Sequence, residues 1–251
     1  LDFDLMVIGG GWPERLPARI IRLPSLGIIN NHPSLLPQFR GTDIHRWQVL
    51  MNVKTSGVTI HYVDESLDTG DIIGQSCIQI DSHDSPQELF MKVSAISGVL
   101  MHSIIKKIEN AEPKMLNAAP QLDRMVKSKY FSAWKWDDKG LLCIDWQKSA
   151  LDLWRLVLAA TQESYKYNGP YFDINGHTYI LRETDIVDLE SAALCGDILV
   201  CDGDILIKCG DTSQALKLIK IQPINMDNWY TGCHMAPSIS SNELLLRENL
   251  K

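Results

Sequence analysis

The stretch "LGIINNHPSLLPQFRG", residues 26–41, is the main evidence for the fold of the first half of the chain. An apolar run, Leu26–Ile29, passes directly into two asparagines and a histidine, and prolines punctuate the turn that follows. The run predicts a buried strand ending near Asn30. Side chains two residues apart in an extended chain share a face, so Asn30 and His32 are expected to point the same way. Taken alone, the pattern also fits a polar turn in which these side chains hydrogen-bond the backbone.

Strands and helices alternate on both sides of this stretch, up to about residue 110. Ser85 and Pro86 supply an N-cap and a first helical residue, and Glu88 completes a capping box. Alternating elements of this kind predict an α/β fold, here a domain over residues 1–112. The predicted strands are Leu5–Ile8, Gly27–Asn30, Gly57–Val63 and Ile72–Ile80, and the predicted helices are Leu16–Leu23, Thr42–Asn52 and Ser85–Ile108.

The pattern changes after the α/β region. Residues 113–143 mix prolines, aromatic residues and charges, which indicates a linker. The stretch "IDWQKSALDLWRLVLAATQ" then predicts a helix, and short β-type runs follow, separated by Asn-Gly and Asp-Gly pairs that signal hairpins. Residues 144–251 are therefore predicted to form a small all-β barrel or sandwich with a terminal helix, which Ser240 and Glu243 would cap. The β-type runs are Tyr171–Ile174, His177–Leu181, Asp197–Val200, Ile205–Cys209 and Leu216–Gln222.

Composition narrows the class of protein. The 251 residues include 24 Lys and Arg against 31 Asp and Glu, a formal net charge of −7 that disfavours an extensive phosphate-binding surface. No run of 18 apolar residues and no signal-peptide pattern is present, so we expect a soluble, cytoplasmic protein. The six cysteines show no CxxC spacing, and Cys233-His234 is the only Cys/His neighbour pair, so we expect no metal site.

A second polar stretch, "GVTIHYVDESLDTGDI" at residues 57–72, is a predicted strand followed by a loop with four carboxylates. A carboxylate on such a loop could orient His32, set its charge and relay a proton. The alternative is a solvated acidic turn. The four carboxylates belong to Asp64, Glu65, Asp68 and Asp71.

Together, "N-x-H-P-S-L-L-P-x-x-R-G" and "G-V-T-I-H-x-V-D-x-x-L-D-T-G-D-I" resemble the signature of the folate-dependent formyltransferases. The stretches "IDWQKSALDLWRLVLAAT" and "GPYFDINGHTYIL" are similar to the small C-terminal domain of the methionyl-tRNA and amino-sugar branches. The resemblance implies a Rossmann-like formyltransferase domain followed by an OB-like barrel. It also implies that the family's first βα units are missing before Leu1.

The resemblance assigns chemistry to three positions. Asn30, His32 and Asp68 match the family's catalytic Asn-His-Asp set. This implies attack by an acceptor amine on the formyl carbon of 10-formyltetrahydrofolate, without a metal. The Asn30 amide and protonated His32 would stabilise the oxyanion, and Asp68 would hold His32 and help move the proton to the leaving N10.

The folate site is also implied by the resemblance. Main-chain groups of two loops, 14–17 and 63–67, would line the pterin site. His61, on the strand before the second loop, matches a histidine of the purine branch. The implied folate contacts are Glu14, Leu16, Ser34, Leu35, Val63, Asp64 and Leu67.

The acceptor is the open question. "RGTDIHRW" departs from the "RGAAPIQRA" type of the tRNA branch, and "TIHYVDE" differs from its "TIMQMD". Residues 114–251 hold 15 Lys and Arg against 18 Asp and Glu, whereas an RNA-gripping domain would be expected to concentrate cations. We expect a small primary amine, such as a nucleotide-linked amino sugar. Methionyl-tRNA is the alternative, and a 10-formyltetrahydrofolate hydrolase, in which water replaces the amine, is a further one.

Overall fold

The computed structural model describes residues 3–9, 12, 15–110, 117–121, 129–136, 138–160, 169–174, 176–210, 213–224 and 230–231. The chain forms two compact units, Leu1–Trp134 and Lys135–Lys251. The division falls within the segment predicted as a linker, residues 113–143. The predicted terminal helix, with Ser240 and Glu243, lies outside the described residues.

The first unit is an α/β domain, as predicted. Its main sheet has the order β1-β2-β4-β5, in which the first pair is parallel and the other two pairs are antiparallel. A short parallel ladder, β3 with β6, lies beside it. The strands are β1 (Met6–Ile8), β2 (Ile28–His32), β3 (Arg40–Gly41), β4 (Thr55–Tyr62), β5 (Ile72–Gln79) and β6 (Tyr130–Phe131), and the helices are α1 (Ala18–Ile21), α2 (Ile44–Leu50) and α3 (Pro86–Asn110).

Helix α3 begins at the predicted capping box. The Ser85 backbone N–H donates to the Glu88 carboxylate at 2.8 Å, and the Glu88 N–H donates to the Ser85 hydroxyl at 3.2 Å. By length and composition alone α3 could cross a membrane. Its apolar stripe instead packs on β4 and β5, which explains its composition within this domain. The buried apolar residues of the stripe are Leu89, Val93, Ile104 and Ile108.

Strand β2 continues two residues beyond its predicted end at Asn30. It pairs with β4 through His32, so that Asn30 lies opposite His61 and His32 lies opposite Thr59. Pairing with a central strand keeps this polar segment extended, although its residue types favour a turn. The polar groups therefore project from a fixed strand rather than from a loop.

The second unit is built on a six-stranded antiparallel sheet of order β7-β8-β11-β10-β9, with β12 on β11. The long pair β8 and β11 carries a bulge near Leu218–Lys220 that curls the sheet. Helix α5 covers one face over a core that includes Leu153, Leu181 and Leu216. The elements are α4 (Lys139–Leu142), α5 (Ala150–Ala160), β7 (Tyr171–Ile174), β8 (His177–Asp188), β9 (Ile198–Cys201), β10 (Asp204–Lys208), β11 (Gln214–Pro223) and β12 (Tyr230–Thr231).

The predicted all-β character of this unit is confirmed, but the closed OB-like barrel is not. Among the described strands, β7 and β9 end the sheet and do not pair with each other. The result is a curled half-barrel. Alternating hydrophobicity predicts strands correctly, but closure depends on which edges meet, and the local pattern does not encode that.

Candidate active site

A cavity of about 790 Å³ opens at the C-terminal end of β2. Its wall includes the end of β2, the loop between β4 and β5, the first turn of α2 and residues 90–97 of α3. Sites for small molecules usually fall between roughly 300 and 1,000 Å³. Asn30, His32 and Asp68 all line this cavity, so the structure brings the three predicted catalytic residues together.

His32 is buried and held from both sides of its ring. Its Nε2 lies 2.7 Å from the carbonyl oxygen of Phe39, and because a carbonyl only accepts, Nε2 carries a hydrogen. Its Nδ1 faces Oδ1 of Asp68 at 3.5 Å. Burial lowers the pKa of His32 below its ordinary 6.5, and the Asp68 charge opposes this shift. Neutral His32 therefore presents Nδ1 as a proton acceptor next to the carboxylate.

Asp68 is held by the backbone on one side and by side chains on the other. Its Oδ2 accepts a hydrogen bond from the Gly41 N–H at 3.0 Å, and its own backbone adopts a left-handed conformation with φ of 54°. The Asp68 carbonyl accepts hydrogen bonds from Arg40 Nε and Gln121 Nε2, each at 3.0 Å. The carboxylate is thus positioned before any substrate binds.

Asn30 is oriented by its cross-strand neighbour. Nδ1 of His61 lies 2.8 Å from the Tyr62 carbonyl and so carries the hydrogen, which makes the other ring nitrogen, Nε2, an acceptor when the ring is neutral. Burial lowers the pKa of His61, which favours this neutral form. Asn30 Nδ2 lies 3.2 Å from that Nε2, so the amide nitrogen donates to His61. The second Nδ2 hydrogen is therefore available to an oxygen in the cavity.

The predicted folate contacts divide into two groups. Leu16, Val63, Asp64 and Leu67 line the same cavity as the catalytic set. Ser34 and Leu35 are not among the described lining residues. The hydroxyl of Ser34 is buried within the turn and donates to the Gln38 carbonyl at 2.6 Å, and Leu35 packs against Gly57. Glu14 lies outside the described residues.

Sequence reasoning assigned no role to Arg40 and Gln121, which brace the Asp68 loop. Nη2 of Arg40 donates to Gln121 Oε1 at 2.7 Å, and Gln121 Nε2 also donates to the Gly70 carbonyl at 2.8 Å. Arg40 is almost fully buried, and a buried charge needs partners of this kind. Arg40 could have been found from the sequence, because it directly follows the proline-rich turn. Gln121 could not, because it lies in the segment predicted as a linker.

The charges around the cavity are mostly negative. Among the described lining residues, Arg15 is the single arginine or lysine, against the carboxylates of Asp43, Asp64, Glu65 and Asp68. Such a lining attracts an amine and offers few cations to the many phosphates of a nucleic acid. The described residues hold no group of three or more His, Cys, Asp or Glu side chains that could bind a metal ion.

Two family models match the chain. Residues 1–105 match the formyl transferase model, and residues 138–234 match that of the formyl transferase C-terminal domain. The chain belongs to the formyltransferase family. Members of this family are folate-dependent one-carbon transferases, and the resemblance predicted from residues 30–41 and 57–72 is confirmed.

Known formyltransferases resemble the chain in sequence or in fold. The methionyl-tRNA formyltransferase of Thermodesulfovibrio yellowstonii is 30% identical over 222 residues, which are 88% of this chain and 66% of that protein. The N-formyltransferase of Helicobacter canadensis, solved with folinic acid and dTDP-3-aminofucose, has a TM-score of 0.58 at 22% identity, covering 76% of this chain and 65% of that one. A 4-N formyltransferase of Francisella tularensis has a TM-score of 0.58 at 25% identity, covering 70% and 68%.

The chain therefore spans about two thirds of the length of these formyltransferases. The match to the Helicobacter canadensis enzyme shows a shared fold. The Thermodesulfovibrio yellowstonii protein is named for methionyl-tRNA, whereas the Helicobacter canadensis enzyme was solved with dTDP-3-aminofucose. The acceptor therefore has to be argued from the cavity itself.

Proposed function

We propose that the protein transfers the formyl group of 10-formyltetrahydrofolate to the primary amine of a small acceptor, a nucleotide-linked amino sugar being the favoured class. The observation that carries the proposal is the placement of Asn30, His32 and Asp68 on one wall of a cavity rich in carboxylates. An amide donor and a proton-accepting imidazole are the two groups that acyl transfer to an amine needs.

The cavity fits the folate co-substrate by size and by lining. The loop segments 15–16 and 63–68 both border it, and main-chain groups of such loops can hydrogen-bond a pterin edge. When bound, 10-formyltetrahydrofolate supplies an activated formyl carbonyl with N10 as the leaving nitrogen. Glu14, Leu16, Val63, Asp64 and Leu67 are the proposed contacts from these two loops.

Side chains of the protein stabilise the negative charge that develops on the formyl oxygen and transfer the proton of the attacking amine. Asn30 Nδ2 has one hydrogen directed to His61 and can donate the other to the formyl oxygen as negative charge develops there. Nδ1 of His32 can accept the proton that the attacking amine loses as its nitrogen bonds to the formyl carbon, and Asp68 stabilises the resulting imidazolium. The imidazolium then returns this proton to N10 as the bond between the formyl carbon and N10 breaks. The resemblance implies a His32 that is protonated at the start, whereas its burial favours a neutral ring that gains the proton during attack.

A small amine suits the charges better than tRNA does. The lining has one cationic side chain, Arg15, among four carboxylates, and residues 114–251 are slightly acidic overall. Binding of an RNA backbone needs several cations aimed at phosphates. The fold relative from Helicobacter canadensis, whose complex includes dTDP-3-aminofucose, supports the amino-sugar class.

Methionyl-tRNA is the second candidate acceptor. The relative from Thermodesulfovibrio yellowstonii, at 30% identity, is named a methionyl-tRNA formyltransferase, and this observation favours it. The hydrolase alternative uses the same three residues with water as the nucleophile. The product separates the three activities: an N-formyl sugar, an N-formyl-methionyl-tRNA or free formate.

The test supplies the full-length protein with 10-formyltetrahydrofolate and, in parallel, charged initiator tRNA, nucleotide-linked amino sugars, or buffer alone. We expect N-formyl sugar as the main product. We also expect tRNA binding to be weak and to change little with salt, since each phosphate contact would add roughly one decade of affinity loss per decade of salt. Efficient formylation of tRNA alone would refute the small-amine acceptor, and formate as the sole product would establish the hydrolase.

A further inference from the structure

A second set of polar side chains lines the cavity on the face of β2 opposite the catalytic residues. Asn31 projects from that face because neighbouring strand residues alternate, and its Nδ2 lies 2.5 Å from the hydroxyl of Ser97 on α3. His45, on α2, meets the Phe90 ring edge to face, with 5.5 Å between centroids. Asn31, His45 and Ser97 all line the cavity, and we call these three residues the α3-side subsite.

Two atoms of this subsite are buried without a partner. Oδ1 of Asn31 and Nε2 of His45 have no hydrogen-bond partner among the described residues. Each unpartnered buried polar atom has lost its hydrogen bond to water without gaining another, which is unfavourable. Turning the Asn31 amide over would give Oδ1 to the Ser97 hydroxyl but would leave Nδ2 unpartnered instead. The subsite therefore lacks a partner in either orientation of the amide.

The missing partner has a recognisable chemistry. Burial lowers the pKa of His45 to about 4, so the ring is neutral near pH 7 and offers one donor and one acceptor. A hydroxyl both donates and accepts, so it can satisfy the Asn31 amide in either orientation as well as the His45 ring. A phosphate only accepts, and none of the described α2 and α3 residues that line the cavity is a lysine or arginine that could balance its charge.

The subsite lies next to the reacting centre. Asn31 directly precedes His32 on β2, and both line the same cavity as His45. Phe90 and Val93 add apolar surface to the same wall. A sugar ring presents hydroxyls and C–H faces side by side, and this wall offers polar and apolar contacts in the same arrangement.

We propose that Asn31, His45 and Ser97 bind a hydroxyl of the acceptor adjacent to the amine that is formylated, and so select a hydroxylated cyclic amine over a simple one. This inference rests on the proposed function. The inference adds that the α3-side subsite distinguishes one small amine from another.

The experiment compares two acceptors with the full-length protein. One is a dTDP-linked 3-amino-3,6-dideoxyhexose, and the other is the same compound without the hydroxyl at C4. The variants are Asn31→Leu and His45→Phe, which keep side-chain size and remove hydrogen bonding. His45→Gln retains a hydrogen-bonding group, and Ser103→Ala on the exposed side of α3 is the matched control. The readout is the ratio of kcat/KM for the hydroxylated acceptor to that for the deoxy acceptor.

We expect the unmodified protein and Ser103→Ala to prefer the hydroxylated acceptor by about 10-fold or more, as one buried hydrogen bond allows. In Asn31→Leu and His45→Phe the ratio should fall toward one, mainly through a higher KM for the hydroxylated acceptor, and His45→Gln should retain part of it. If both apolar variants fold and keep the full preference, the α3-side subsite is overturned while formyl transfer stands. If the unmodified protein formylates neither acceptor, the small-amine acceptor itself is overturned.

Discussion

Nδ1 of His32 lies 3.5 Å from Oδ1 of Asp68, and the second oxygen of that carboxylate is already held by the Gly41 N–H. The other ring nitrogen of His32 donates to the Phe39 carbonyl. Proton exchange at this histidine is therefore confined to the nitrogen that faces Asp68. The pair is suited to receive a proton from an attacking amine and to hold that proton until it passes to the leaving N10.

Replacing either member of this pair should lower turnover without unfolding the protein. For Asp68→Asn we expect kcat/KM to fall by roughly 10²–10⁴-fold, because the amide cannot stabilise the imidazolium. An amide oxygen can still accept from Gly41, so folate binding should persist, as measured by equilibrium titration. His32→Ala should lose a similar factor. Asp71→Asn, on the same loop but outside the cavity lining, is the control, and near-normal turnover in Asp68→Asn would refute the assignment.

The pH dependence should follow the pKa of His32. Burial lowers that pKa below 6.5, and His32 must be neutral to accept a proton, so protonation of His32 should add an acid limb to kcat/KM below pH 6.5, separate from the limb set by the acceptor amine. The Asp68 charge favours the imidazolium and raises the pKa. Asp68→Asn removes that charge, so the acid limb of its pH–rate profile should move to lower pH. A shift to higher pH would contradict His32 as the proton acceptor.

His61 should act through Asn30 rather than on the proton. In His61→Ala the Asn30 amide loses the acceptor that orients it, and we expect kcat to fall roughly 10-fold or more. The acid limb should not move, because the pKa of His32 is set by burial, Asp68, Arg40 and the Phe39 carbonyl.

The comparison variants for this test are His61→Gln, whose side-chain oxygen can accept from Asn30, and His102→Ala on the exposed face of α3. His61→Gln should recover part of the rate, and His102→Ala should be neutral. A loss in KM alone, with kcat intact, would argue against a role in orienting Asn30.

Gly41 should be intolerant of any side chain. It has φ of 119°, and a Cβ there would lie 1.9 Å from the Phe131 carbonyl oxygen. Gly41→Ala should destabilise the protein by more than about 1 kcal/mol and displace the N–H that holds Asp68. Denaturant unfolding and kcat measure the two effects.

Gly98 on α3 is the matched control for this change, since nothing lies within 4 Å of the position of its Cβ. Gly98→Ala should stabilise the protein by roughly 0.5–1 kcal/mol through helix propensity. Equal stability of the two alanine variants would show that the close approach at Gly41 does not matter.

Local patterns were sufficient for most elements of the fold. The capping box of α3 and the Asn-Gly and Asp-Gly pairs of the second unit act within a few residues, so the printed sequence contains their cause. Strand β2 was predicted two residues short because its end is polar, and pairing with β4 overrides that preference. A closed barrel was predicted where the structure has a half-barrel, because closure depends on whether two sheet edges far apart in the chain meet.

The sequence by itself determined which side chains form the candidate active site, because Asn30, His32 and Asp68 occur in two stretches whose residue types and spacing are specific. Only the tertiary structure decided how these side chains are oriented and which groups hydrogen-bond them. The partners of Asp68 are contributed by Gly41 and by Gln121, which is 53 residues away along the chain. Such hydrogen bonds depend on backbone angles and strand register that only the folded chain sets, so no short-range pattern could reveal which nitrogen of His32 is free to take a proton.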